Sequence, residues 1–273
     1  MDGPNVVRRV AATVLAAAMC GWLSTLAPAD EQVRLAAARS KAPAAEPGPE
    51  APKPKPKPKP PPPDCTRAKC LALTFDDGPA ESTGDLLDIL AARNVKATFF
   101  LVGKNVVENP DLVRREHQAG HEIADHSYTH ADLGRASRKK ITSELRRTQD
   151  AIRQASGVTP KLLRPPYGST SKRLAKITRR MGMAQIMWTV DPLDWRNRDT
   201  GDVERRVLKN AEPGGIVLLH DIHPTTVRAV PKIIDRLAAE GYVFVTVSEL
   251  FAGKLTPGEE YTGLDSGEGQ GLP

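Results

Sequence analysis

The residues best suited to chemistry stand where short apolar segments end. The apolar segment at residues 71–75 is followed at once by two carboxylates, Asp76 and Asp77, and then by a Gly-Pro turn. Two adjacent carboxylates repel each other, so each needs a cation, an arginine or a shared proton as its partner. Taken alone, the Asp-Gly-Pro sequence is equally typical of an ordinary turn. Later segments must supply the partners if this pair belongs to an active site.

Two histidines follow the third apolar segment. His126 and His130 are four residues apart, so on a helical turn both rings can reach one ion. A carboxylate from the first segment would complete a set of two histidines and one carboxylate, which leaves open positions for water and substrate, as in catalytic zinc sites. We therefore expect a divalent metal, most simply Zn²⁺. Iron uses the same set in oxygenases, but the sequence gives no sign of the co-substrate pocket that such enzymes need.

Further ionisable residues end the later segments. Arg164 stands between leucines and prolines, so we expect it to be buried and paired with the spare aspartate. His220 follows four apolar residues, and Asp191 at a neighbouring segment end would raise its pKa on contact and make it a proton donor. Trp195 and Leu218 would form an apolar wall beside them. A solvated loop explains any one of these positions, but not five segment ends together.

The elements that must position these residues alternate along the chain. Seven apolar segments indicate strands, at residues 71–75, 97–102, 121–125, 161–164, 184–190, 215–220 and 242–247. Amphipathic stretches of helical period lie between them, and glycines stand where those helices should stop. Repeated strand–helix units predict an α/β fold with a parallel sheet inside and helices outside. We expect a distorted (β/α) barrel of about seven strands, with the catalytic residues at the carboxyl ends of the strands.

Five motifs together resemble the polysaccharide deacetylase family, which is carbohydrate esterase family 4 or the NodB-homology domain. They are TFDDGP at 74–79, HSYTH at 126–130, RPPYG at 164–168, DPLDW at 191–195 and LLH at 218–220. The resemblance covers roughly residues 65–250 and includes no substitution in the catalytic set.

The resemblance implies a role for each residue of the metal and base positions. In that family Asp77, His126 and His130 would be the metal ligands. Asp76 would be the general base, and Arg164 would orient it.

It also implies the groups that act on the rest of the substrate. The backbone N–H of Tyr167 would help to bind the oxyanion. His220 would be the general acid, and Asp191 would tune it. Asp221 and His223 receive no role.

The expected activity is hydrolysis of N-acetyl groups on amino sugars of a cell-wall polysaccharide, either peptidoglycan or a chitin-type oligosaccharide, with release of acetate. Two alternatives remain. An O-acetyl xylan esterase could use the same site, and a wall-binding domain could have kept the fold without turnover. The presence of Asp76 and His220 argues against the second, because a binding domain needs neither a base nor an acid.

The N-terminal segment indicates export. Two arginines precede an apolar stretch at residues 10–26 and an Ala-Pro-Ala sequence, so residues 1–29 are expected to be a signal peptide or signal anchor. Residues 30–63 form a linker rich in proline and lysine, which would act as an extended stalk. The catalytic domain would span residues 64–252, and residues 253–273 would be a disordered tail.

In an oxidising compartment, Cys65 and Cys70 are expected to form a disulfide, because no further ligands are near enough to complete a zinc knuckle.

The charge balance bears on the partners. The net charge is +6 and the isoelectric point is about 9.3, which favours accumulation on anionic surfaces such as a charged cell wall. Nucleic acid is not expected, because the aromatic content is 4% and no basic patch is interleaved with aromatic residues. We expect a monomer whose substrate is acetylated wall polysaccharide, and which is either secreted or held at the wall or membrane, the latter through its N-terminal segment.

Overall fold

A computed structural model describes residues 63–264, and the strands of this part pair in parallel throughout. The strands are β1 (Lys69–Asp76), β2 (Thr98–Leu101), β3 (Glu122–Asp125), β4 (Leu162–Leu163), β5 (Ala184–Ile186), β6 (Gly215–His220), β7 (Tyr242–Val245) and β8 (Glu260–Tyr261). Seven of them coincide with the segments expected from the sequence. The expected signal segment and most of the expected stalk lie outside the described residues.

Helices connect the strands on the outer side. They are α1 (Thr83–Ala92), α2 (Gly103–Glu108), α3 (Pro110–Gln118), α4 (Arg138–Ser156), α5 (Lys172–Met181), α6 (Asp194–Asn197), α7 (Thr200–Asn210), α8 (Pro224–Ala239) and α9 (Val247–Leu250). The start and the end of the longest helix, α4, follow from its sequence. The Ser137 side chain accepts a hydrogen bond from the Lys140 N–H at the start, and Gly157 ends the helix with a φ of 78°. None of the helices within residues 63–264 is long and apolar enough to cross a bilayer.

The strand order produces the expected barrel. The path runs β6-β1-β2-β3-β4-β5-β8, and β7 adds to β1. Beyond β5 the chain forms a parallel bridge from Val190 to Val217 of β6, so the two ends of the path approach each other. The fold is therefore a distorted (β/α) barrel, as the alternation of strands and helices predicts.

The alternation of side chains along β1 decides which residues reach the barrel interior. Leu71, Leu73 and Phe75 face outward and pack against the helices in one apolar cluster. Cys70 and Ala72 face inward, in a second cluster with apolar side chains of the other strands. By the same alternation, Thr74 and Asp76 point into the interior at the carboxyl end of the strand. The parallel register then places Asp76 beside His220 of β6.

Two features of the termini bear on the sequence-based expectations. Cys65 and Cys70 form the expected disulfide, with Cα atoms 5.3 Å apart.

The prediction that the chain is disordered from residue 253 onward is wrong for residues 253–264, because β8 pairs with β5 and the Leu264 N–H donates to the Gly214 carbonyl. A two-residue strand has no apolar run of its own, so only the exposed edge of β5 defines it. Residues 265–273 lie outside the described part.

Candidate active site

The loops that follow the barrel strands converge at one rim, as the sequence predicts. Their backbones are unusual, because several residues without glycine's freedom adopt a positive φ there. These residues are Asp77, Ser127, His130, Tyr167 and Leu193, with φ between 55° and 74°. Such conformations are costly, and they cluster where a fold fixes side chains for function.

Asp77, His126 and His130 come together as a candidate metal centre. Asp77 Oδ1 lies 3.5 Å from His126 Nε2 and 3.3 Å from His130 Nε2. One ligand atom from each of the three residues lies within 4.8 Å of the other two. This grouping is the two-histidine, one-carboxylate set that the sequence predicts.

The local chemistry of these three side chains fits a cation. The Nδ1 of His126 is 2.7 Å from the carbonyl of Arg164, which can only accept, so the proton is on Nδ1 and the Nε2 lone pair is available to a metal. Burial lowers the pKa of His126 to about 3, which keeps the ring neutral. Asp77 Oδ1 is buried and has no hydrogen-bond partner among residues 63–264. A bound cation would satisfy that oxygen.

Asp76 and Arg164 form the buried ion pair expected from the sequence. Arg164 is fully buried, and its Nη1 donates to Asp76 Oδ1 and to Thr74 Oγ1, each at 2.7 Å. Its other nitrogens donate to backbone carbonyls of Ile186 and Met187. Burial raises the pKa of Asp76, while the charge of Arg164 opposes that rise. The guanidinium therefore holds one carboxylate oxygen in place and favours the charged form.

The partner of His220 differs from the one expected. Asp194, which is fully buried, accepts from His220 Nδ1 at 2.8 Å through Oδ1 and from the His220 backbone N–H at 2.8 Å through Oδ2. The Thr226 hydroxyl also donates to Asp194 Oδ2. Burial alone would lower the pKa of His220, but the hydrogen bond and charge of Asp194 outweigh it and raise that pKa to about 9.

The assignment of Asp191 as the partner of His220 is therefore wrong. Asp191 Oδ1 accepts from the Leu193 N–H at 2.8 Å, so its carboxylate closes the local turn instead. Leu193 then adopts a φ of 57°, and this turn aims Asp194, the first residue of α6, at the end of β6. The sequence held a signal for this arrangement, because an aspartate before proline commonly bonds the backbone two residues ahead.

Comparisons with known proteins agree with this geometry. A family model described as polysaccharide deacetylase matches residues 64–186. A peptidoglycan-N-acetylglucosamine deacetylase of Listeria monocytogenes is 43% identical over 194 residues, which cover 71% of this chain and 41% of that protein. A chitooligosaccharide deacetylase of a Bradyrhizobium species is 36% identical over 195 residues, which cover 66% of this chain and 89% of that protein.

A solved structure of a deacetylase with substrate has the same fold. Its TM-score is 0.70 at 42% sequence identity, and the match covers 72% of this chain and 98% of that chain. The chain belongs to the polysaccharide deacetylase family. It matches only about two fifths of the length of the Listeria relative.

The remaining predicted residues of this polysaccharide deacetylase domain lie around the same rim. Tyr167 has 71% of its surface exposed, and its hydroxyl is 3.1 Å from His130 Nδ1. Its φ of 62° turns the backbone between Arg164 and Gly168. Trp195 is 47% exposed, whereas Leu218 is buried one layer below His220 on the interior face of β6. Trp195 therefore presents a half-exposed apolar surface beside Asp194, whereas Leu218 is part of the barrel interior beneath His220.

Sequence reasoning missed one buried acid in the deacetylase domain that holds a ligand loop. Glu144 of α4 is buried, and its Oε2 accepts from the backbone N–H groups of Tyr128 at 2.9 Å and Thr129 at 2.7 Å. These two residues form the turn between His126 and His130. The available signal was a glutamate on the apolar face of an amphipathic helix, where a carboxylate needs donors.

A second buried acid, Asp221, lies behind the first loop. It follows His220, and the Thr83 hydroxyl donates to its carboxylate. Burial raises the pKa of Asp221 to about 7. An added Cβ at Gly78 would lie 2.6 Å from its oxygens, so the Asp77-Gly78 turn packs directly on this carboxylate. No side chain other than hydrogen fits at residue 78.

Proposed function

We propose that this chain is a metal-dependent hydrolase that removes N-acetyl groups from amino sugars of a cell-wall polysaccharide and releases acetate. One observation carries the proposal. A buried carboxylate held by an arginine and a histidine held by a buried aspartate stand at neighbouring positions beside the candidate metal centre. A base, an acid and an open metal site are the parts that amide hydrolysis requires.

Asp77, His126 and His130 would hold the metal, and Zn²⁺ suits two imidazoles and one carboxylate. When bound, such an ion acidifies a water and polarises the acetyl carbonyl.

Asp76 would take the proton from the attacking water. Its Oδ1 is occupied by Arg164 at 2.7 Å, which leaves Oδ2 to accept the proton. The charge of Arg164 opposes the rise in the pKa of Asp76 that burial causes, and so favours the charged, basic form of the carboxylate.

The other chain groups act on the carbonyl oxygen and the leaving nitrogen. The backbone N–H of Tyr167 would donate to the oxygen as negative charge develops on it, a contribution worth about 3–4 kcal/mol per preorganised donor. His220 would protonate the departing amine. Asp194 keeps His220 protonated until that step, since it raises the pKa of His220 to about 9.

Peptidoglycan is the substrate that the observations favour, with chitin-type oligosaccharides as a secondary one. The relatives include a peptidoglycan and a chitooligosaccharide deacetylase. The sequence adds an export signal, a lysine–proline stalk and a basic charge balance, which together suit an enzyme held at an anionic wall. We propose an extracellular location, in the wall or tethered to the membrane, and a monomeric state.

A substrate comparison tests the proposal. Purified protein is incubated separately with peptidoglycan, with a soluble chitin oligosaccharide and with acetylated xylan, and released acetate is measured. We expect the highest rate on peptidoglycan and a lower rate on the chitin oligosaccharide. If acetylated xylan is hydrolysed fastest, the chain is an O-acetyl esterase. If no polymer releases acetate, it is a binding domain.

A further inference from the structure

The positive charge of the catalytic domain is concentrated on two neighbouring helices. Together α4 and α5 contain eleven arginines and lysines and only two carboxylates. Their combined charge of +9 exceeds the +6 of the whole chain, so the rest of the chain is net negative. One of the two carboxylates, Glu144, is buried. The outer surface of this helix pair is therefore almost purely cationic.

Many of these cations form no ion pair within residues 63–264. Within residues 63–264, acidic partners are found for Lys140, Arg153 and Arg179. Six exposed cations of the helix pair have no ion pair in this part of the chain: Arg138, Lys139, Arg146, Lys172, Lys176 and Arg180. Closely spaced like charges repel one another, and an anionic partner would relieve that repulsion.

The cationic surface begins at the active-site rim. α4 follows the loop that carries His126 and His130, and α5 follows the loop that carries Tyr167, so both helices start at the carboxyl end of the barrel. Arg173 Nη1 donates to the carbonyl of Ala136 at 2.9 Å, which joins the start of α5 to the segment before α4. From the rim, the 19 residues of α4 extend the surface about 28 Å along the side of the barrel.

We propose that the α4–α5 surface binds a phosphate-bearing anionic polymer of the cell wall, alongside the polysaccharide strand in the catalytic groove. The arginines offer planar forks that match phosphate oxygens, and the lysines add point charges. The length and continuity of the surface suit an extended chain with repeated charges. The choice of a wall polymer among polyanions rests on the proposed function.

Two other anionic partners fit less well. A membrane surface usually requires apolar side chains that insert, and the large exposed apolar residues found in the described part lie on other elements: Val107, Tyr167, Trp195 and Val243. Single-stranded nucleic acid is usually held by aromatic stacking, and neither α4 nor α5 contains an aromatic residue.

The test measures binding, so it does not depend on catalysis. The full chain is sedimented with insoluble cell wall that retains its phosphate polymer and with wall from which that polymer has been extracted. The test variant combines Lys139→Glu, Arg146→Glu and Lys176→Glu. The control combines Lys209→Glu, Arg236→Glu and Lys254→Glu, three exposed cations elsewhere that give the same change in net charge. Activity on a soluble chitin oligosaccharide or, failing that, the melting temperature checks that both variants fold.

We expect the wild type and the control to bind intact wall about tenfold more tightly than extracted wall, and this preference to be much smaller in the test variant. Added salt and soluble poly(glycerol phosphate) should both release the wild type from intact wall. Equal binding by the test and control variants would overturn the proposal. So would equal binding of the wild type to both walls, or tighter binding to anionic lipid vesicles or single-stranded DNA than to poly(glycerol phosphate).

Discussion

At the scale of single residues, Asp194 controls the protonation of His220. The pKa of His220 is about 9 instead of 6.5, so the ring is protonated below that value and loses its proton as the pH rises through it. A general acid must carry its proton, so we expect the alkaline fall in activity only above about pH 9. Asp194→Asn removes the stabilising charge and leaves burial to lower the pKa. We expect the alkaline limb of kcat/KM to move down by more than about one pH unit.

Asp191→Asn is the matched control for that variant, because both aspartates belong to the same five-residue motif. Asp191 accepts a hydrogen bond from Leu193 and makes none with His220. Its substitution should leave the alkaline limb in place, although the turn is weakened. A limb that moves in Asp191→Asn but not in Asp194→Asn would contradict the pairing seen in the structure.

A substitution of Asp76 tests its proposed role as the general base. Asp76→Asn keeps the size of the side chain but removes the ability to accept a proton. Asp77, His126 and His130 are unchanged, so bound metal should remain near one ion per chain. We expect the rate to fall about 10²–10⁴-fold, the usual contribution of a positioned base. Metal analysis of the purified variant separates loss of the base from loss of the ion, and a near wild-type rate would remove Asp76 from this role.

At the scale of elements, helix α4 reaches the candidate metal centre through Glu144. The carboxylate accepts hydrogen bonds from the backbone N–H groups of Tyr128 and Thr129, which lie between the two proposed histidine ligands. Glu144→Ala should loosen that turn and weaken metal binding about 10–100-fold, as loss of groups that orient ligands generally does. Titration with Zn²⁺ after chelation measures this change. Glu144→Gln, which retains one accepting oxygen, should lie between Ala and the wild type.

Thr148→Ala provides the control on the same buried face of α4. Its hydroxyl donates to the Glu144 carbonyl and, among residues 63–264, makes no hydrogen bond to the loop of His126 and His130. This variant should lower the melting temperature and leave metal affinity unchanged. If both variants weaken metal binding in proportion to their loss of stability, Glu144 acts only through the fold.

The order of strands and helices could be predicted from the sequence because most strands have an apolar run and each long helix has a periodic apolar face. Residues such as Asp77 and His126 followed from their positions after those runs. The partner of His220 could not be predicted in the same way. A left-handed turn at Leu193 brings the carboxylate of Asp194, and not that of Asp191, to His220 at the end of β6. β8 was missed for a related reason, since its two residues are held by the edge of β5 and not by their own pattern.

At the scale of the whole molecule, we propose that the expected stalk and the catalytic domain contribute separately to activity. The domain has its own core, so a chain of residues 64–273 should retain the chemistry. If the lysine-rich stalk holds the enzyme at an anionic wall, the chain of residues 30–273 should act faster on insoluble wall and equally on a soluble chitin oligosaccharide. High salt should reduce the difference. Equal rates of the two chains on insoluble wall would contradict a role for the stalk.

We propose that the candidate metal centre at the barrel rim drives removal of acetyl groups from amino sugars. The most direct test of this proposal is acetate release from purified peptidoglycan by the full chain, measured before chelation, after removal of the chelated metal and after addition of one equivalent of Zn²⁺. We expect release at first, loss of release in the metal-free protein and recovery with Zn²⁺. His126→Ala and His130→Ala should not recover activity with one equivalent of Zn²⁺. Undiminished acetate release by the metal-free protein would contradict the proposal.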